Sequence, residues 1–128
     1  MTLLVDTSAF LWWATGSPRL SAHATDALTD PGNQVFLSAV SAWEIALKHA
    51  LGKLPLPEEP GTLIPRLRER HRVEELALSE VAALQLPKLP TLHRDPFDRM
   101  LVCQAIAHGM MLVTSDSLVR RYPVRTLW

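Results

Sequence analysis

The sequence predicts an α/β sandwich in which helices flank a central, mostly parallel sheet. Three observations carry that prediction. The short runs Leu3-Leu4-Val5, Gln34-Val35-Phe36-Leu37 and Met110-Met111-Leu112-Val113-Thr114 are largely apolar and do not alternate with polar residues, the habit of strands buried on both faces. Segments with helical spacing and recognisable caps separate them. Strand and helix then take turns along the chain, an order that favours parallel pairing through right-handed crossovers.

Each element has a local reason. Leu3–Val5 is a first strand. Residues 8–14 read as a helix that Gly16 stops, and Ser21 caps a second helix reaching about Leu28, before Asp30-Pro31-Gly32 turns the chain. Gln34–Leu37 is a second strand. Ser38–Leu51 places Val40, Trp43, Leu47 and Leu51 at helical spacing and closes at Gly52. Pro55, Pro57 and Pro60 stiffen a connection to a helix over Leu63–His71, with Pro65 expected in its first turn, where a missing N–H costs little. Val73–Leu78 is a candidate third strand, and Ser79 caps a short helix to Leu86. Pro87 and Pro90 bracket a stiff loop. Asp95 and Pro96 open a helix that ends at His108 and Gly109. Residues 110–114 form a fourth strand and 124–127 a fifth. There is no internal repeat, and residues 1–128 are expected to form one domain.

Composition narrows the function classes. Of 128 residues, 48% are hydrophobic and 20% charged, a globular profile rather than a disordered one. Thirteen basic and thirteen acidic side chains cancel, so any nucleic-acid contact must come from local patches. Cys103 is the only cysteine, which excludes an intrachain disulfide framework and a Cys-rich metal site. Asp6 interrupts the first apolar run too early for a signal peptide, and no stretch approaches the ~20 apolar residues of a membrane span. A cytoplasmic location with no membrane partner is expected.

Four acids fall where the predicted fold would gather them. Asp6 follows strand one, and Asp116 follows strand four. Glu44 lies in the second turn of the helix after strand two, and Asp98 in the first turn of the helix 96–108. In a parallel sheet all four approach the strands' carboxyl edge, where open α/β sheets place their ligands. Carboxylates gathered there repel one another and demand either protons or a cation. An oxygen-only donor set suits Mg²⁺ or Mn²⁺, and such an ion can polarise a phosphate and activate water. Each acid also has a plainer reading. Ser41-x-x-Glu44 fits a capping box, Asp98 suits a helix dipole, and Asp116 can cap a final turn. Asp6 has a capping duty only if a helix starts at Thr7.

The blocks LLVDTSAFLWW, LSAVSAWEIALKHALGKLPLP and LHRDPFDRMLVCQAIAHGMMLVTSD together resemble a PIN domain, specifically the VapC-type toxin ribonucleases of type II toxin–antitoxin pairs. The resemblance runs from Leu3 to Trp128. It implies a PIN-like three-layer sandwich and a metal-dependent endoribonuclease that hydrolyses RNA phosphodiester bonds. It implies Mg²⁺ or Mn²⁺ held by Asp6, Glu44, Asp98 and Asp116, the catalytic acids, of which Asp116 occupies the most variable family position. It implies an RNA substrate, a cognate antitoxin, a homodimer and a toxin–antitoxin hetero-oligomer. Ser8 stands where the family often has His, while Thr7 is a candidate for positioning a water.

Candidate cations for the charge that builds on the phosphate are Arg94 and Arg99, which flank the third acid; the competing reading pairs them with Asp95 and Asp98. Lys48 is spaced for an i,i+4 pair with Glu44. Arg66, Arg68, Arg70 and Arg72 are candidate phosphate contacts or a solvated face. Phe10, Leu11, Trp12 and Trp13 are consecutive, so they face either a partner or two neighbouring helices. The five histidines read as structural or exposed. The alternative function is a non-catalytic metal-binding module or a receiver-like α/β domain. A haloacid-dehalogenase phosphatase would need an acid at position 8, where Ser8 stands. A receiver would want a Lys after a late strand, whereas the last Lys, Lys88, sits in a Pro-rich loop.

Overall fold

β1 (Thr2–Val5) lies at the centre of a five-stranded sheet in the computed structural model, which describes residues 1–128. Its neighbours are β2 (Gln34–Ser38) on one side and β4 (Met111–Val113) on the other. β3 (Val73–Leu76) pairs outside β2, and β5 (Thr126–Leu127) outside β4. All four pairings are parallel. The register sets Leu4 beside Phe36 and Leu112, so the apolar runs stack across the middle of the sheet.

The helices make the outer layers. α1 (Thr7–Thr15), α2 (Ala22–Thr29) and α4 (Pro60–His71) bury Phe10, Leu28, Leu63, Ile64 and Leu67 with Leu3, Val5 and Leu37 on one face. On the other, α6 (Pro96–His108) buries Leu101, Val102, Cys103 and Ala105 with Leu4 and Leu112. α5 (Glu80–Ala83) packs against α6. α3 (Ala39–Ala50) bridges the two, with Ile45 in the first cluster and Val40 in the second. Successive residues of β1 thus enter opposite cores, which is why its sequence is apolar throughout. No helix is long and apolar enough to cross a membrane.

Several element boundaries differ from the sequence reading. α1 begins at Thr7, one residue early, because Asp6 caps it. α4 begins at Pro60, so Pro65 is inside the helix rather than in its first turn. Gly61 and Pro60 read as linker, yet Pro60 occupies the first helical position, where its missing N–H costs nothing. Leu63, Ile64 and Leu67 carry the helix through the lost Pro65 bond by their burial. The helix after Ser79 is only one turn, Glu80–Ala83, and Pro87 lies in a separate short turn over Leu86–Lys88. β3 stops at Leu76, two residues short of the expected end. The consecutive aromatics of α1 pack within the chain. Phe10 is fully buried, Trp12 meets Trp128 edge to face with ring centroids 5.8 Å apart, and Trp13 lies against His71 at a tilt of 44° with centroids 4.6 Å apart. The exposed apolar side chains are elsewhere: Trp43 and Leu47 on α3, Leu51 at its end, Val81 and Leu84 at α5, and Met1, Leu78 and Leu118.

Candidate metal centre at the carboxyl edge of the sheet

Asp6 leaves the central strand with its backbone still in the sheet, since its N–H donates to the Val113 carbonyl at 3.0 Å. Its side chain turns to the helix that follows: Oδ1 accepts from the Ala9 N–H at 2.7 Å. A carboxylate here satisfies an otherwise free N–H at the positive end of α1. Asp6 therefore does cap a helix, and one oxygen is committed to that duty.

Glu44 arrives from the sixth position of α3. The cap of that helix is Ser38, whose Oγ accepts from the Val40 N–H at 2.9 Å, so the Ser41-Glu44 capping box is not formed. Ser41 is instead buried and accepts a hydrogen bond from the Thr7 hydroxyl at 2.8 Å, tying α3 to α1. Glu44 is buried, Oε2 pairs with Lys48, and Oε1 is enclosed without any partner. Asp98 comes from the third position of α6, beneath Asp95, which caps the helix through the Phe97 and Asp98 N–H groups at 2.9 and 3.2 Å. Asp116 follows β4 and caps the turn at Leu118 and Val119 at 2.8 and 3.2 Å.

These four acids line one cavity of about 280 Å³, together with Thr7, Ser8, Trp12, Lys48, Asp95 and Ser115. A larger cavity, about 540 Å³, opens at the opposite edge of the sheet and holds Arg70, His71 and Arg72. There the basic residues stand beside Asp30 and Glu74, so the lining is of mixed charge. The smaller one has the distinctive chemistry.

Two of the acids show the strain of that gathering. Burial raises Asp6 to about 6, with the Asp116 and Glu44 charges adding and the Thr114 hydroxyl and Ala9 N–H opposing. Asp98 rises to about 7, again mostly from burial, then from Asp95, Asp6, Asp116 and Glu44. Such a set binds protons or cations readily. The orphaned Glu44 Oε1, the oxygen-only donors and the raised carboxyls fit a hard divalent ion. The carboxylates are nonetheless not drawn into a tight cage of three or more ligands in the free chain. Glu44 instead pairs with Lys48.

The cations differ from the sequence reading. Arg94 and Arg99 pair with neither Asp95 nor Asp98, and neither lines the cavity. Arg99 Nε is enclosed without a partner. Asp98 instead lies 3.6 Å from His93 Nε2, whose Nδ1 meets the Tyr122 hydroxyl at 2.8 Å. His93 is thus a site residue that sequence reasoning passed over; its position just ahead of the acidic block was the only signal. Arg66 pairs with Glu58 at 2.5 Å and Arg68 with Glu75 at 3.9 Å, so the basic helix α4 does not serve the acid cavity. Gln104 is the other unforeseen contributor. Fully buried on α6, it accepts from the Ser38 hydroxyl and so fixes the start of the helix that carries Glu44.

The sequence model of the PIN domain family matches residues 3–124 of this chain. The chain belongs to the PIN-domain family. Among curated proteins this PIN domain is 30% identical to ribonuclease VapC22 of Mycobacterium tuberculosis (strain ATCC 25618 / H37Rv), over 99% of this chain and 98% of that protein. Ribonuclease VapC16 of the same bacterium is 46% identical over 52 residues, 38% of this chain and 37% of its own. In fold, the PIN domain is similar to a chain of VapBC2 from Rickettsia felis bound to a promoter DNA fragment, at TM-score 0.76 and 19% identity, covering 99% and 98% of the two chains. DNA-bound VapBC from Salmonella typhimurium gives 0.72 at 18% identity, covering 99% and 97%.

Proposed function

We propose that this PIN domain is a metal-dependent endoribonuclease toxin of the VapC type, held in check by a cognate antitoxin. One observation carries the reading: Asp6, Glu44, Asp98 and Asp116, from four separate segments, line a single cavity in a chain homologous along its length to a VapC ribonuclease. The four carboxylates are the metal ligands and the catalytic acids. The ion is Mg²⁺ or Mn²⁺, and when bound it supplies charge neutralisation at the scissile phosphate and activation of the attacking water.

The chain's own residues do the rest. Asp98, raised to about 7, is partly protonated near neutrality and Asp6, raised to about 6, becomes so just below it, so loading a cation there releases protons. Thr7, fixed by its bond to Ser41, orients a water at the cavity wall. Asp95 keeps the first turn of α6 in place beneath Asp98. The substrate is RNA, best read in an unpaired loop whose bases can be splayed out. VapBC assemblies are among the structural relatives, which supports a cognate antitoxin partner and a toxin–antitoxin hetero-oligomer; a homodimer within it is part of the same proposal. The protein works in the cytoplasm, where that RNA is.

Incubation of the purified, antitoxin-free chain with total cellular RNA tests this reading. Discrete fragments are expected with Mg²⁺ or Mn²⁺ and none with EDTA or with Asp6→Asn. Absence of metal-dependent fragments, together with no heat of Mn²⁺ binding, would leave only a non-catalytic binding module.

A further inference from the structure

Lys48 is the one cation inside a cavity otherwise ringed by four acids, Asp95, hydroxyls and Trp12. It reaches Glu44 one helical turn away, and its stem passes the Phe97 ring, with Nζ 6.0 Å from the ring centroid. The partners are unequally exposed. The Glu44 side chain is 7% exposed and that of Lys48 is 45%, so the acid is fixed and the base free to leave. Only one Glu44 oxygen is engaged. The other, Oε1, is enclosed and unpartnered, a state that is costly unless something else completes it in the working protein.

We propose that Lys48 is a resident counter-ion that competes with the divalent metal for Glu44 and, once displaced, turns its ammonium to the substrate phosphate. The proposal rests on the metal-nuclease reading above and assigns Lys48 a counter-ion and substrate-binding role within it. The geometry supports both halves. In the free chain Lys48 offsets the charge of a buried carboxylate that no other residue neutralises. A metal engaging Glu44 takes over that duty. The released side chain is flexible, exposed and already at the cavity, and Lys binds phosphate as a point charge. An i,i+4 pair made only for helix stability needs no burial of its acid and no place in a polar cavity.

The test is calorimetric titration of Mn²⁺ into the full chain without RNA, comparing wild type, Lys48→Met and Lys48→Arg. Removing the competitor should tighten Mn²⁺ binding about fivefold in Lys48→Met, the size of a partly exposed ion pair. Lys48→Arg should behave as wild type. With Ca²⁺ in place of Mn²⁺, binding of a single-stranded RNA oligonucleotide should weaken in Lys48→Met and recover in Lys48→Arg. Lys48→Gln repeats both measurements if Lys48→Met fails to fold. Unchanged or weaker Mn²⁺ affinity in the variants lacking the charge, with heat present in wild type, overturns the Lys48 proposal alone. No Mn²⁺ heat in wild type overturns the nuclease reading with it.

Discussion

Asp6 caps α1 and, in the function proposed above, is also a metal ligand, and the substitution Asp6→Asn separates the two. Asparagine still offers Oδ1 to the Ala9 N–H, so α1 keeps its cap. What disappears is a charge that burial disfavours. Because the folded chain holds Asp6 at about 6, above the usual carboxylate value of 3.8, the native state binds more protons than the unfolded chain between those limits. Stability of the metal-free protein therefore falls as pH rises from about 4 to about 6, and Asp98, raised to about 7, extends the loss upward. Thermal melts in EDTA should show Asp6→Asn more stable than wild type by roughly 1–3 kcal/mol at pH 7.5 and no different at pH 4. RNA cleavage by the same variant should be lost at every pH. Mg²⁺ should raise the wild-type melting temperature more at pH 7.5 than at pH 5, because at low pH protons already occupy the carboxylates. A larger Mg²⁺ effect at the lower pH would contradict the raised carboxyls.

The helices owe their positions to contacts that join distant parts of the chain. Gln104 on α6 accepts from Ser38, whose oxygen in turn caps α3, so the helices bearing Asp98 and Glu44 share one buried polar link. Gln104→Ala should cost about 1–3 kcal/mol in denaturant unfolding, since it strands the Ser38 hydroxyl. It should also lower RNA cleavage while the four acids remain. At the end of α4 the strain is local. Arg72 holds φ at 57°, a conformation suited to glycine. Arg72→Gly should therefore stabilise by about 1 kcal/mol, read as a rise in melting temperature. Pro65→Ala should stabilise too, because Pro65 is exposed and costs its helix one internal bond. The sequence made the caps legible where the signal is contiguous: Ser21, Ser79, Asp95 and Gly109 all act as expected. It misled where one residue type fits two roles. Pro60-Gly61 reads as linker and is a helix start, and Ser41-x-x-Glu44 reads as a capping box and is not. The pairs Ser38–Gln104 and Asp98–His93 left no local signal, because nothing in a strand or helix period records a partner in another segment.

The parallel sheet itself was legible because its inner strands β1, β2 and β4 are largely buried on both sides and so apolar without alternation. Leu112 shows how tightly that arrangement is packed: almost fully buried on β4, it adjoins Leu4 on the strand beside it. Leu112→Ala should cost about 2–5 kcal/mol in urea unfolding, whatever the metal. The edge where the acids gather also followed from the topology, since each acid was placed by its position after a strand or in an early helical turn. Their separation along the chain has another result. Leu3 on β1 pairs with Met111 on β4, so the central strand leaves the ribosome long before its neighbour has been made. Asp98 and Asp116 emerge later still than Asp6 and Glu44. No nascent fragment ending before β4 holds all four carboxylates, so the cavity they line is complete only when nearly the whole chain has been made.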